Sequence, residues 1–140
     1  MEPLDLSKAP PRSPKLALDG LTMLPRTIDK LRATLPGGNP GVYKIVGFSE
    51  RMLKTIGVTE DQMREAVASA KSDDDVVQWL REHADTSKYE EFSQYISKRS
   101  IDDVTDKAAF MERYPILKSR PDIYYLADML EADDEEMFKR

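Results

Sequence analysis

The chain has 140 residues, 40% hydrophobic and 34% charged, with 9 prolines, no cysteine and a formal net charge of −5. Such a balance describes one soluble globular domain around one core, large enough to fold without a disulfide or metal staple. The lack of cysteine excludes disulfides, thiolate zinc sites, iron–sulfur clusters and cysteine nucleophiles, and a lone histidine, His83, excludes multi-histidine metal sites within one chain.

Residues 1–20 read as an extended arm, because Pro10, Pro11 and Pro14 fix φ and remove backbone donors. Leu4, Leu6, Leu16 and Leu18 give the arm apolar anchors and favour its packing on the body, residues 21–140. Its lysines, arginine and prolines interrupt every apolar run, so it reads as neither a signal peptide nor a membrane span. With no spanning window elsewhere, the expected location is cytoplasmic and no membrane partner is expected.

A first helix is predicted from Pro25 to Leu35, with Ile28, Leu31 and Leu35 on its apolar stripe and Pro36-Gly37 as its stop. Gly37-Gly38-Asn39-Pro40-Gly41 is a loop by composition, and Val42–Val46 alternates weakly, as a short strand would. Ser49 opens a short helix ended by Gly57, and Thr59-Glu60-Asp61-Gln62 is a capping box ahead of Met63, Ala66, Val67 and Ala70. Further helices are predicted after Ser72, after Thr86 or Ser87, through Val104, Ala108 and Met111, and from Pro121 toward Phe138. The expected fold is all-α, a single domain of about seven short helices with no repeat of fixed period.

The most distinctive stretch is Leu24-Pro25-Arg26-Thr27-Ile28-Asp29-Lys30-Leu31-Arg32-Ala33. On a helix Arg26, Asp29, Lys30 and Ala33 share one face, opposite the apolar stripe. One reading is an anion or carboxylate site, with Arg26 offering a planar fork and Asp29 holding it or Lys30 in place. The plainer reading is a solvated face carrying an intrahelical ion pair.

This block, preceded by Pro10-Pro11-Arg12-Ser13-Pro14 and followed by Leu53-Lys54-Thr55-Ile56-Gly57-Val58, resembles a bacterial family of domains of unknown function. Its members look like an arm with a Pro-Arg-Ser-Pro element, a Leu-Pro-Arg-x-Ile-Asp-Lys-x-Arg-Ala helix and a helix end of the leucine, glycine, β-branched kind. The resemblance covers the N-terminal half, and Arg120-Pro121-Asp122-Ile123 with Asp133-Asp134 is compatible with it near the C-terminus. Many members run Gly-Glu-Tyr into a Cys-Pro pair, whereas this chain has Gly41-Val42-Tyr43 and then Gly47-Phe48-Ser49. The resemblance implies no activity, but it draws Arg26, Asp29 and Lys30 toward a role, and Tyr43 with them.

Other motifs favour plain structural readings. The glycine loop lacks the Gly-Lys-Ser/Thr that closes a phosphate loop, and no Gly-x-Ser-x-Gly turn supplies a serine nucleophile. His83, near a helix end beside Glu82 and Asp85, reads as a dipole-stabilised surface histidine before a general base. Asp128, Glu131, Asp133, Asp134, Glu135 and Glu136 read as a solvated acidic tail, without the spacing of a calcium loop. Trp79, Tyr89, Phe92, Tyr95, Tyr124 and Tyr125 read as core, with one phenol of the Tyr124-Tyr125 pair reaching the surface or a cleft.

The charge is divided along the chain: residues 1–58 carry nine Lys/Arg against five Asp/Glu, and residues 59–140 twelve against twenty-one. An acidic second half disfavours nucleic acid as a partner. The preferred reading is a non-enzymatic module that binds a partner protein or a small anionic ligand through Arg26, Asp29, Lys30 and Tyr43, with no cofactor and no metal. The alternative is a small enzyme in which Arg26 and Lys30 hold an anion while Asp29, Tyr43 or His83 moves a proton. Convergence of these residues on one cavity is the feature that discriminates the readings.

Overall fold

In the computed structural model, described here over residues 1–139, the arm lies along the helical body. Leu6 is buried, its N–H donates to the Asn39 carbonyl at 2.7 Å, and the Asn39 N–H returns a bond to the Leu4 carbonyl at 2.9 Å. The glycine loop thus serves as the edge to which the arm pairs.

The arm closes in a hairpin that the sequence reading did not include. Strands β1 (Ala17–Leu18) and β2 (Leu21–Thr22) pair antiparallel, with Ala17 opposite Thr22 and Leu18 opposite Leu21. Asp19-Gly20 between them has φ of 53° and 79°, the two positive values that a two-residue hairpin turn requires. Met23 follows with φ 77°, a conformation unusual for a side chain with a Cβ, and turns the chain into the first helix.

Helix α1 (Leu24–Arg32) is the central element, and every residue from Leu24 to Leu31 is buried. Its apolar side packs with Met52, Leu53 and Ile56 of α2 (Phe48–Ile56), Met63 and Val67 of α3 (Glu60–Ser69), Leu80 of α4 (Asp73–His83), and Phe92 and Ile96 of α5 (Tyr89–Lys98). The capping box forms as its grammar requires: the Gln62 N–H donates to Thr59 Oγ1 at 3.1 Å and the Thr59 N–H to Gln62 Oε1 at 3.0 Å. Gly57, with φ 78°, ends α2 in the left-handed conformation that glycine adopts without strain.

A second, smaller apolar cluster joins Leu117, Ile123, Met129 and Ala132, flanked by Phe110 and Tyr114. It is built from α6 (Lys107–Arg113), α7 (Ile116–Ser119) and α8 (Leu126–Met137). Helix α8 starts at Leu126, later than Pro121, because residues 124–126 first bond to the segment after α5: the Ile101 N–H donates to the Tyr124 carbonyl at 2.9 Å and the Leu126 N–H to the Arg99 carbonyl at 3.0 Å. In this extended stretch Tyr124 and Tyr125 both face outward, each about half exposed, so neither belongs to the core.

The architecture is mainly helical and forms one compact domain, with eight α-helices and a two-stranded hairpin among the described residues. The all-α expectation is corrected by that hairpin, which Asp-Gly selects by its turn geometry and Leu21 anchors in the core. Residues Val42–Val46 form an irregular loop and not a strand, since no neighbouring strand pairs with them among the described residues. No helix among these residues is long and apolar enough to cross a membrane. Thr59→Ala removes one arm of the capping box and is expected to cost about 1 kcal/mol, read as a fall of about 3 °C in Tm by calorimetry.

Candidate functional site

A central helix buried on all sides must satisfy its polar face from other elements. The Arg26 guanidinium meets the Asp134 carboxylate of α8 in a forked pair, Nη1 to Oδ2 at 2.7 Å and Nη2 to Oδ1 at 3.3 Å, with both side chains below 10% exposure. Nη1 also donates to the Arg12 carbonyl at 3.2 Å. The Tyr43 hydroxyl donates to Asp134 Oδ1 at 2.7 Å, and the Arg26 guanidinium carbon lies 5.5 Å from the centre of the Tyr43 ring. Burial and the bond to Asp134 both raise the Tyr43 phenol well above its usual range, so it stays protonated.

Asp29 turns to the arm instead. It accepts from the Arg12 backbone N–H at 2.8 Å and from Arg12 Nη2 at 3.0 Å, while Arg12 Nη1 reaches Asp73 on the first turn of α4 at 2.7 Å. The bonds to Asp73 and Asp29 hold the Arg12 guanidinium above its already high range. One arginine therefore ties the arm to α1 and α4. The expectation that Asp29 holds Arg26 or Lys30 is corrected, because both of its oxygens are committed to Arg12.

Lys30 is 9% exposed and has no carboxylate within ion-pair distance among the described residues. Its ammonium nitrogen finds one protein partner, Ser49 Oγ of α2 at 3.3 Å, and Ser49 is itself buried and bonded by Thr27 Oγ1 at 3.2 Å. Desolvation, followed by the nearby Arg26 charge, lowers the Lys30 pKa to about 8.

Arg26, Lys30 and Tyr43 line one cavity of about 620 Å³ between α1, the 42–48 loop, α6 and α8. Its walls include Phe48, Phe110, Tyr114, Leu126, Met129 and Leu130, and its other charged groups are Lys44, Arg113, Asp133 and Asp134. Desolvation and the adjacent Asp134 raise the Asp133 pKa. The cavity has the size and mixed lining of a small-molecule site.

Three of the four residues selected from sequence thus converge, and Asp29, beside Lys30 on the same helix, turns its side chain to Arg12. His83 lies outside the cavity: its Nδ1 is 2.8 Å from the Trp79 carbonyl and its ring stacks on Trp79 at 4.3 Å. The solvated-tail reading is corrected at Asp134, which is buried against Arg26 on the inner side of α8. Sequence reasoning missed Arg12, Ser49, Asp133 and Asp134 as members of the site. Arg12 carried a signal as the arginine of Pro10-Pro11-Arg12-Ser13-Pro14, and Asp133-Asp134 carried one through the family resemblance. Among the described residues, no three His, Cys, Asp or Glu side chains are grouped so as to hold a metal ion.

Taken together, these features define a small helical domain whose central helix presents a buried polar face to a partly apolar cavity. The chain belongs to the DUF5069 family, a domain of unknown function, whose model matches residues 8–136. No curated protein matches the chain.

Removing one member of a buried pair leaves the other charge without compensation, so Asp134→Ala is expected to lower stability by about 3–5 kcal/mol. The double variant Arg26→Met with Asp134→Leu should recover most of that loss in urea melts, since it removes both charges. Lys30 generates a separate expectation. Unfolded, it titrates near its ordinary 10.5, and folded near 8, so between those values the unfolded chain binds more protons. Its contribution therefore becomes less unfavourable as pH rises from 8 to 10.5, and the stability of the parent relative to Lys30→Met should rise by roughly 3 kcal/mol over that window.

Proposed function

We propose that the domain is a binding module for a small organic anion with an apolar body, taken up in the cavity between α1, the 42–48 loop, α6 and α8. The observation that carries the reading is the charge balance of the lining. Four basic groups face two carboxylates, and one of those carboxylates, Asp134, is already shared by Arg26 and Tyr43. Lys30, Lys44 and Arg113 make no ion pair among the described residues.

Lys44 and Arg113 are exposed and Lys30 is buried, which separates a basic mouth from a basic floor. An anionic head at the mouth meets Lys44 and Arg113, and an apolar body packs against Phe48, Phe110, Leu126 and Met129. The Arg26–Asp134–Tyr43 unit contributes rigidity more than charge, because Asp134 offsets the Arg26 cation and accepts the Tyr43 hydroxyl, with Arg26 Nε alone left buried without a partner among the described residues. Preorganisation of this kind limits the ordering cost of binding. A cytoplasmic setting is part of the proposal, in keeping with a chain that carries no cysteine.

A second reading draws on Val42, Val46 and Met137, which line the same cavity and are 66%, 43% and 44% exposed. An apolar segment of a partner protein would cover these residues, and a small ligand would leave Val42 in water.

Isothermal titration calorimetry with 1-naphthoate and with the neutral 1-naphthyl alcohol analogue tests the proposal. The carboxylate is expected to bind, the neutral analogue to bind less, and the Lys44→Ala/Arg113→Ala variant to lose about tenfold in affinity for the carboxylate. Affinity should also fall with added salt, since the mouth is exposed. Equal affinity for charged and neutral compounds, or heat from neither, would overturn the anion reading.

A further inference from the structure

We propose that Lys30 is a carbonyl-reactive amine that condenses with the aldehyde or ketone carbon of an oxo acid held in the cavity. The inference deepens the anion-binding reading and rests on it for the carboxylate end of the ligand; the carbonyl end is assigned here by what surrounds Lys30.

The geometry sets Lys30 apart from other lysines. It is the buried lysine of the chain, on the wall of a cavity with apolar sides, and its nitrogen has one neutral partner, Ser49 Oγ, and no carboxylate. A lysine retained for structure would be expected to meet an acid, as Arg26 and Arg12 both do on the same face of the helix. One turn away on the same helix is the Arg26 cation, which is locked in place by Asp134 and disfavours a second positive charge more than the shared Asp134 carboxylate favours one. Burial in a cavity of this kind is how proteins obtain a neutral, nucleophilic lysine at moderate pH. A shift from 10.5 to about 8 raises the neutral fraction at pH 7 about three-hundredfold.

The step balances without a further reactant. The Nζ lone pair attacks the carbonyl carbon, the nitrogen loses a proton and the oxygen gains one, giving a carbinolamine. Loss of that hydroxyl as water leaves the C=N bond of an imine, with no change in oxidation state. The charged and titratable groups sharing the cavity with Lys30 are Arg26 on its own helix, Tyr43 and Lys44 on the loop, Arg113 on α6 with Tyr114 just after it, and Asp133 and Asp134 on α8. The Tyr43 proton is committed to Asp134, so the acid on the cavity wall that can serve the departing hydroxyl is Asp133, whose proton is held more tightly than usual by burial and by Asp134. With the carboxylate at Lys44 and Arg113 and the carbonyl at Lys30, the fitting class is a small oxo acid with an apolar spacer between its two ends.

The test incubates the full chain with 4-carboxybenzaldehyde and sodium cyanoborohydride at pH 7, followed by peptide mapping by mass spectrometry. Calorimetry with 4-(hydroxymethyl)benzoate, which has the carboxylate and no carbonyl, runs beside it. The expected result is a reduced adduct on Lys30 at least tenfold above any other lysine, lost in Lys30→Met and rising through pH 8. Lys30→Met should remain folded, because it removes a buried charge, and the mapping of the parent does not depend on it. An unmodified Lys30 with adducts spread over surface lysines overturns the imine proposal; if 4-(hydroxymethyl)benzoate still binds, the anion reading survives that failure. An adduct on Lys30 with no binding of the hydroxymethyl analogue supports the reactive amine and overturns the anion site.

Discussion

The buried pair between Arg26 and Asp134 fixes how the two ends of this molecule meet. It joins the central helix to the last one across 108 positions of sequence, and it is closed over by the Arg12 carbonyl and the Tyr43 hydroxyl. Charges taken from water need hydrogen bonding, and the arm, the 42–48 loop and α8 supply it here except at Arg26 Nε, which is buried without a partner among the described residues. The cavity exists because those same elements stand around the pair. Its floor is the polar face of α1, and its walls are the side chains that shield that face from solvent.

Two arginines of similar chemistry divide the work. Arg26 joins α1 to α8, and Arg12 joins the arm to α1 and α4 through Asp29 and Asp73. Each has an acid partner, and their planar forks match carboxylate geometry. Lys30 lies on the same helix face without such a partner, so its charge is not offset as theirs are. Within one turn of helix the chain therefore combines a residue fixed by pairing with one left reactive by burial. That contrast is the chemical content of the site.

The binding proposal and the amine proposal draw on different parts of the cavity. Anion recognition concerns the exposed mouth, where Lys44 and Arg113 act in water and their effect is screened by salt. Amine reactivity concerns the floor, where solvent is excluded and the proton affinity of Lys30 is set by its surroundings. Membership of a domain family of unknown function is compatible with both, since fold and family alone assign neither a ligand nor a reaction.

Local grammar in the sequence determined much of the helical framework. The capping box at Thr59, the glycine stop at Gly57 and the apolar spacing of Ile28 and Leu31 each act within one or two helical turns, so they are legible without the fold. The Asp19-Gly20 hairpin signal was legible in the same way, though it lay in a stretch dominated by prolines. Sequence also placed Arg26, Asp29 and Lys30 on one helix face, because that follows from a period of 3.6 residues. What it could not determine was whether that face met water, since an identical spacing serves a solvated surface and a buried seam. Only the tertiary structure decided that the arm and α8 cover it, that Asp134 leaves the acidic tail to pair with Arg26, and that Asp29 turns to Arg12 and leaves Lys30 without an acid. Those outcomes depend on contacts between residues 17 to 108 positions apart, which no local pattern encodes.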